Sequence, residues 1–251
     1  MTAILRVENL SKSWGGIRAV DDISFAVQPG EMLALIGPNG AGKSTTFNMI
    51  GGQLQPGAGR ITLADRDITN ATPRALCRLG VARTFQITET FASMTVRENV
   101  QTALQARTPW RFWRPAAAQN RPEADRLLAQ VGLDSQAGTQ AAILAYGDVK
   151  RLELAMALAN APKILLMDEP TAGMAQAERT ALMALVRRMA TEQNLAILFT
   201  EHDMDTVFTA ADRILVLNRG KLIAEGDAAA IRANPSVQEV YLGGGRLMSA
   251  A

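Results

Sequence analysis

Eight consecutive residues, Gly37-Pro-Asn-Gly-Ala-Gly-Lys-Ser44, have the make-up of a phosphate cradle. Glycines let a backbone curl until several N–H groups face one anion. Lys43 adds a cation able to reach outer phosphates, and the Ser44 hydroxyl suits Mg2+. A second pair, Asp168-Glu169, closes the apolar run Ile164 to Met167. Carboxylates at the C-terminal end of a buried strand lie where open parallel sheets bind ligands. Asp168 is expected to hold Mg2+ through water, and Glu169 to orient or deprotonate an attacking water. His202 follows the apolar run Leu195 to Phe199 and so falls near the same edge, within reach of a phosphate oxygen or that water. Taken alone, an acidic strand end is more often solvated and a single histidine more often structural. The phosphate loop upstream is what turns the acidic pair towards function; position alone leaves both roles open for His202.

These residues need elements to hold them. Met32 to Ile36 reads as a compact buried strand and Lys43 to Ile50 as a helix closed by Gly51-Gly52, so the glycine loop joins strand to helix and gains the helix N-terminus for anion binding. Before it lie short strands, Ile4 to Val7 and Val20 to Val27; after it come a strand near Ile61 to Leu63 with Asp65-Arg66 as its turn, and a short helix from Thr72-Pro73 to Gly80. The middle is helical. Thr95-Val-Arg-Glu98 is a capping-box pattern before a helix ending near Arg107, a second helix has Pro122 near its start and Gly132 after it, and a third runs from about Val149 to Asn160. Between the first two, Pro109 to Pro115 carries Trp110, Phe112 and Trp113 and reads as a loop. The last third alternates again: strand at Lys163 to Met167, helix at Gln176 to Glu192, strand at Leu195 to Thr200, helix at Met204 to Ala211, then two strands around Asn218-Arg219-Gly220. Strand–helix alternation predicts parallel βα units, with a helical lobe inserted.

Composition narrows the chemistry. With one cysteine, Cys77, and one histidine, His202, the 251 residues exclude an internal disulfide and a Cys/His zinc cluster. A net charge of +2 is too small for a nucleic-acid-binding face. Arg6 and Glu8 interrupt the first apolar run, so it is no signal peptide, and no run approaches the roughly 18–20 residues of a spanning helix. The expectation is a soluble, cytoplasmic chain, with docking on a membrane partner left open.

Together these motifs resemble the nucleotide-binding cassettes of ABC transporters, over essentially the whole chain. Gly37 to Thr45 resembles Walker A, with Gly37, Pro38, Asn39, Gly40, Ala41, Gly42, Lys43, Ser44 and Thr45 then lining the ATP phosphates; Leu165 to Glu169 resembles Walker B with its catalytic glutamate. By the same resemblance Gln86 is the Q-loop glutamine, a Mg2+ ligand with Ser44 and Asp168; His202 is the switch histidine; Trp14 stacks on adenine; and Leu144-Ala-Tyr-Gly-Asp148 is the signature, presenting Ala145 and Gly147 to a nucleotide. Two departures stand out: Ala145 and Asp148 replace the usual serine and glutamine of the signature, and Ala175 replaces an aspartate after Walker B. The resemblance implies an α/β fold, a P-loop NTPase (RecA-like) core with an N-terminal antiparallel β subdomain and an inserted α-helical subdomain. It divides the chain into core residues 1–85 and 161–251 and helical residues 86–160.

Within the family, Trp14-Gly-Gly-Ile-Arg-Ala-Val20, Arg83-Thr-Phe-Gln86, Gly147 to Leu158 and the tail Ile231 to Gly243 are similar to the ATPases of branched-chain amino acid importers. That implies ATP and Mg2+ as cofactors, transmembrane permease subunits and a second ABC ATPase subunit as partners, a solute-binding protein acting indirectly, and a place at the inner face of the cell membrane. Three other readings stay open from sequence: a lipopolysaccharide-type exporter ATPase, a cassette that binds ATP with little turnover, and a non-transport ABC protein. The last usually carries two cassettes or a long coiled coil, and this chain has neither.

Overall fold

The computed structural model describes residues 2–84, 90–105 and 120–242. Gln86 and the Trp110-Phe112-Trp113 stretch lie outside the described residues.

Two sheets form. Strands β1 (Leu5–Trp14), β2 (Ile17–Val27), β4 (Ala58–Leu63) and β5 (Arg66–Asp67) make an antiparallel sheet in the order β2-β1-β4-β5. The larger sheet has the order β10-β9-β3-β8-β7-β6, from β3 (Met32–Ile36), β6 (Val81–Thr84), β7 (Ile164–Asp168), β8 (Ala196–Thr200), β9 (Arg213–Asn218) and β10 (Lys221–Gly226). All its pairs are parallel except the edge pair β9/β10. Alternation explains why the central strands read as unbroken apolar runs. Met32, Ala34 and Ile36 of β3 enter one core with Leu165, Met167, Ile197 and Phe199, while Leu33 and Leu35 enter another with Ile164, Leu166 and Leu198. Both faces are covered, so every position must be apolar. The first core takes in helices α3 (Val96–Gln105), α4 (Arg121–Val131), α5 (Tyr146–Leu158) and α6 (Gln176–Gln193); the second takes in β1, β2, β4 and helix α1 (Lys43–Ile50).

Several terminators are where the residue types put them. In α2 (Pro73–Leu79) the Thr72 side chain accepts from the Ala75 N–H, and Gly80 ends the helix in the left-handed region, φ 101°. At α3 the capping box forms: the Thr95 N–H donates to Glu98 at 2.8 Å, and the Glu98 N–H donates to the Thr95 hydroxyl at 3.2 Å. Thr95→Ala is expected to cost about 1 kcal/mol, a drop of roughly 2–4 °C in melting temperature; unchanged melting would mean that the cap contributes nothing.

Two expectations need correction, and one strand is new. β6 was not foreseen, because Val81-Ala-Arg-Thr84 is too short to show a period. The turn between β4 and β5 is Ala64-Asp65, both left-handed, with Arg66 already in the strand. Helix α5 begins at Tyr146 rather than near Val149, since its N-cap is Ala145, a residue that gives no capping signal. Helix α7 (Met204–Ala210) joins β8 to β9, and the described residues end with β10 and two helices, α8 (Ala228–Ala233) and α9 (Pro235–Leu242). Among the described residues no helix is long and apolar enough to cross a membrane.

Candidate functional site

The glycine loop leaves β3 at the C-terminal end of the parallel sheet and turns directly into α1. Two of its glycines are sterically obligatory. A Cβ on Gly37 would lie 2.2 Å from the Leu217 carbonyl oxygen, and one on Gly42 would lie 2.4 Å from that of Ala19; both sit at positive φ, 152° and 107°. The loop is thus held between β2 on one side and the β9–β10 hairpin on the other. The Gly220 N–H donates to the Ala41 carbonyl at 2.9 Å, and the Asp21 N–H donates to the Gly220 carbonyl at 2.9 Å. From α9, the partly buried Tyr241 faces the Gly37 N–H; burial raises the pKa of its hydroxyl and that N–H opposes the rise.

Helix α1 has no side-chain cap and no acidic residue in its first turn. Its N-terminal N–H groups and partial positive charge are therefore available to an anion. Lys43 is 8% exposed. Its ammonium donates to the carbonyls of Gly37 at 2.7 Å and Pro38 at 3.1 Å. Burial lowers its pKa, while the charges of Glu169 and Asp168 work in the other direction, so both carboxylates share its field. Ser44, Asn39 and Gly40 are exposed on the open side of the loop, with Pro38 and Thr45 half-buried behind them.

The carboxylates are set by strand register. Asp168 at the end of β7 pairs with Thr200 at the end of β8, and the Thr200 hydroxyl donates to Asp168 Oδ1 at 2.8 Å. From β6, Arg83 donates to Asp168 Oδ2 at 3.1 Å and to Asn48 of α1 at 2.8 Å. One residue on, Glu169 adopts φ 50°, a left-handed conformation costing about 1–3 kcal/mol in a non-glycine residue. Its N–H, donating to the carbonyl and hydroxyl of Thr200 at 3.1 Å each, holds it there. That twist carries the side chain to His202, whose Nε2 lies 2.7 Å from Glu169 Oε1. Glu201, between Thr200 and His202, turns inward: Oε1 accepts from the N–H and hydroxyl of Thr171 at 2.8 and 2.7 Å, and Oε2 accepts from the His202 N–H at 3.3 Å. Burial raises its pKa, and these bonds oppose the rise.

The remaining predicted positions lie elsewhere. Trp14 is 55% exposed at the end of β1, with the Lys12 ammonium 5.1 Å from its ring centre. Ala145 and Gly147 open α5; Gly147 packs on Met174 and Glu178, and the Tyr146 hydroxyl donates to the Ala172 carbonyl at 3.1 Å. The Asp148 carboxylate is engaged by Gln136 Nε2 at 2.8 Å and by Arg151 at 3.9 Å. Lys150, one turn into α5, is buried and paired with Glu153 at 3.1 Å. Ala175 caps α6 without a side-chain acceptor, and Glu178 accepts from its N–H at 3.2 Å.

The sequence assigns no role to Arg83, Thr200, Glu201, Thr171 or Tyr241. The side-chain bonds that tie β6, β7 and β8 together here span 30 to 85 residues, and the residue types alone carry no signal of them.

Mg2+ fits the donors present. Ser44 offers a hydroxyl and Asp168 a carboxylate, both hard oxygen ligands. Among the described residues no three His, Cys, Asp or Glu side chains converge on a metal-sized point. An ion that shares its shell with phosphates and water needs only one or two protein oxygens.

Comparison with known proteins bears on the whole chain. A family model described as ABC transporter matches residues 20–172, and one described as branched-chain amino acid ATP-binding cassette transporter matches residues 221–246. The chain is 39% identical over 251 residues to the high-affinity branched-chain amino acid transport ATP-binding protein LivG of Salmonella typhimurium, covering 96% of this chain and 98% of that protein. It is 37% identical over 249 residues to BraF of Pseudomonas aeruginosa, which carries the same description, with the same coverage. Among solved structures it is similar to the ADP conformation of MJ1267, an ATP-binding cassette of an ABC transporter, with TM-score 0.87, 32% identity and coverage of 97% and 100%. A nucleotide-free ATP-binding cassette from an ABC transporter superposes with TM-score 0.85 at 32% identity, covering 96% and 99%.

Proposed function

The chain belongs to the ABC transporter family of ATP-binding cassettes, and from that premise we propose that it is the ATP-hydrolysing subunit of an importer for branched-chain amino acids or related small solutes. The observation that carries the reading is the 2.7 Å contact between His202 and Glu169 at the ends of adjacent parallel strands, beside a glycine loop that opens onto a helix N-terminus.

In this reading the loop from Gly37 to Thr45 wraps the phosphates of ATP, Lys43 leaves its own carbonyls for the outer phosphates, and Trp14 offers its exposed ring to adenine. Glu169 orients the attacking water and accepts its proton, while His202 fixes the carboxylate and faces the γ-phosphate. Ser44 and Asp168, with Gln86, would hold Mg2+, which when bound neutralises phosphate charge. Arg83 and Thr200 keep Asp168 in one orientation. Catalysis is then positioning plus charge stabilisation.

Residues 86–160 act as a helical lobe that presents Ala145 and Gly147 to the nucleotide of a second cassette, while residues 1–85 and 161–251 form the core. Closing and opening of the two cassettes moves permease subunits at the inner face of the membrane. The test is to isolate the complex through this chain, identify its membrane subunits, and measure ATP-driven uptake in vesicles. Uptake of leucine, isoleucine or valine supports the reading; ATP-driven transport of a lipid or glycan instead would replace it with the exporter.

The altered signature has a local consequence. Ala145 is the N-cap of α5 and cannot accept from the N–H groups of that turn. Ala145→Ser is expected to add about 1 kcal/mol to the stability of the free chain as a cap. It should also lower the ATP concentration needed for dimerisation, leaving ATP affinity of the separated chain unchanged. Melting without nucleotide and sedimentation with ATP, in a Glu169→Gln background, read the two effects apart. If the dimerisation curve stays put, Ala145 does not face the partner's nucleotide.

A further inference from the structure

We propose that Glu201 is a positioning residue for ATP hydrolysis: held to Thr171 and to the backbone of His202, it fixes the separation of the β7 and β8 ends on which the His202–Glu169 contact depends. Three consecutive residues, the last of β8 and the two that follow it, grip the segment that ends β7. Thr200 takes Asp168 Oδ1 and the Glu169 N–H, Glu201 takes Thr171 twice, and His202 takes Glu169 Oε1. Thr200 acts within the strand ladder. Beyond the ladder, Glu201 ties Thr171 to the backbone of His202, alongside the His202–Glu169 contact itself.

The chemistry of the link suits this work. Glu201 is 5% exposed and receives three donors, two on Oε1 and one on Oε2. A carboxylate accepts on both oxygens, whereas an amide can accept on only one and would point its NH2 at a facing N–H. The hydrogen bonds of Glu201 go to Thr171 and the His202 backbone and not to the phosphate loop, so its loss should affect the chemical step rather than ATP binding.

This inference rests on His202 and Glu169 acting together on the water, and its test is built to fail separately from that reading. His202 is the only histidine in the chain, so its imidazole Cε1–H resonance is assigned without ambiguity. In the parent chain, Glu169→Gln should displace that resonance by removing the charge 2.7 Å from the ring. In a Glu201→Gln background the same Glu169→Gln step should displace it by less than about half as much, because coupled neighbours are not additive. Thr171→Val removes one donor to Glu201 while keeping volume, and should reduce the displacement in the same direction. It carries the test if Glu201→Gln fails to fold.

Turnover by the assembled complex gives a second readout. Glu201→Gln should lower kcat by about 10- to 100-fold, the scale of a misplaced catalytic group, with the ATP dissociation constant of the chain unchanged within about twofold. A role confined to supporting the Pro170-Thr171 turn predicts lower melting with a full-sized displacement. A full-sized displacement in either background, or a kcat equal to the parent's, overturns the proposal. Parent-like turnover by Glu169→Gln would instead sink the assignment of the base while leaving the resonance cycle readable.

Discussion

Glu169→Gln should bind ATP as the parent does and hydrolyse it about 10²–10⁴ times more slowly, the usual worth of a positioned general base. The amide keeps the size and the 2.7 Å reach to His202 but cannot accept a proton. The backbone is unaffected, because the left-handed twist at φ 50° and its two bonds to Thr200 do not involve the side chain. Single-turnover assays on the assembled complex separate the chemical step from release; hydrolysis at the parent rate would mean that another group is the base. A companion variant checks the strain. Glu169→Gly relieves the left-handed conformation, so the chain should melt higher even as turnover disappears, the exchange of stability for activity expected at a strained site.

Lys43→Ala should weaken ATP binding by at least about a hundredfold. A hydrogen bond to a charged group is worth roughly 1.5–3 kcal/mol, and an ammonium between two phosphates makes more than one. The lysine stem is buried, so alanine also leaves a void; Lys43→Met fills that void without the charge and should lose nearly as much affinity. Calorimetric titration of each variant, with melting of the nucleotide-free chain as the control for folding, gives the answer. Affinity within about twofold of the parent, a difference of roughly 0.4 kcal/mol, would remove Lys43 from the phosphate site.

What could be read in the sequence follows a physical line. Local devices were legible because their partners are a few residues away: the Thr72 cap with Gly80 as its stop, the Thr95–Glu98 box, the Asn218-Arg219-Gly220 turn, and the glycines of the phosphate loop. β6 and the first turn of α5 were not, since one is too short for periodicity and the other starts on an alanine. The site divides in the same way. Lys43, Asp168, Glu169 and His202 could be named from type and position along the chain. Arg83, Thr200 and Glu201 could not, because what they do depends on which strands lie side by side. That order, β6-β7-β8-β3, is not the order of the sequence.

The same strand order bears on how the protein is made. β3 carries the phosphate loop, yet its two neighbours are β8 and β9, and the Met32 N–H is bonded to the carboxylate of Asp212, 180 residues later. On a ribosome adding about 5–20 residues per second, those partners arrive roughly 10–35 s after β3 has been synthesised. Through that interval Met32-Leu-Ala-Leu-Ile36 is an unpaired, wholly apolar strand, the kind of segment that chaperones cover. A nascent chain stalled before β9 would carry every residue of the glycine loop and still lack the β9–β10 wall against which Gly37 and Ala41 rest.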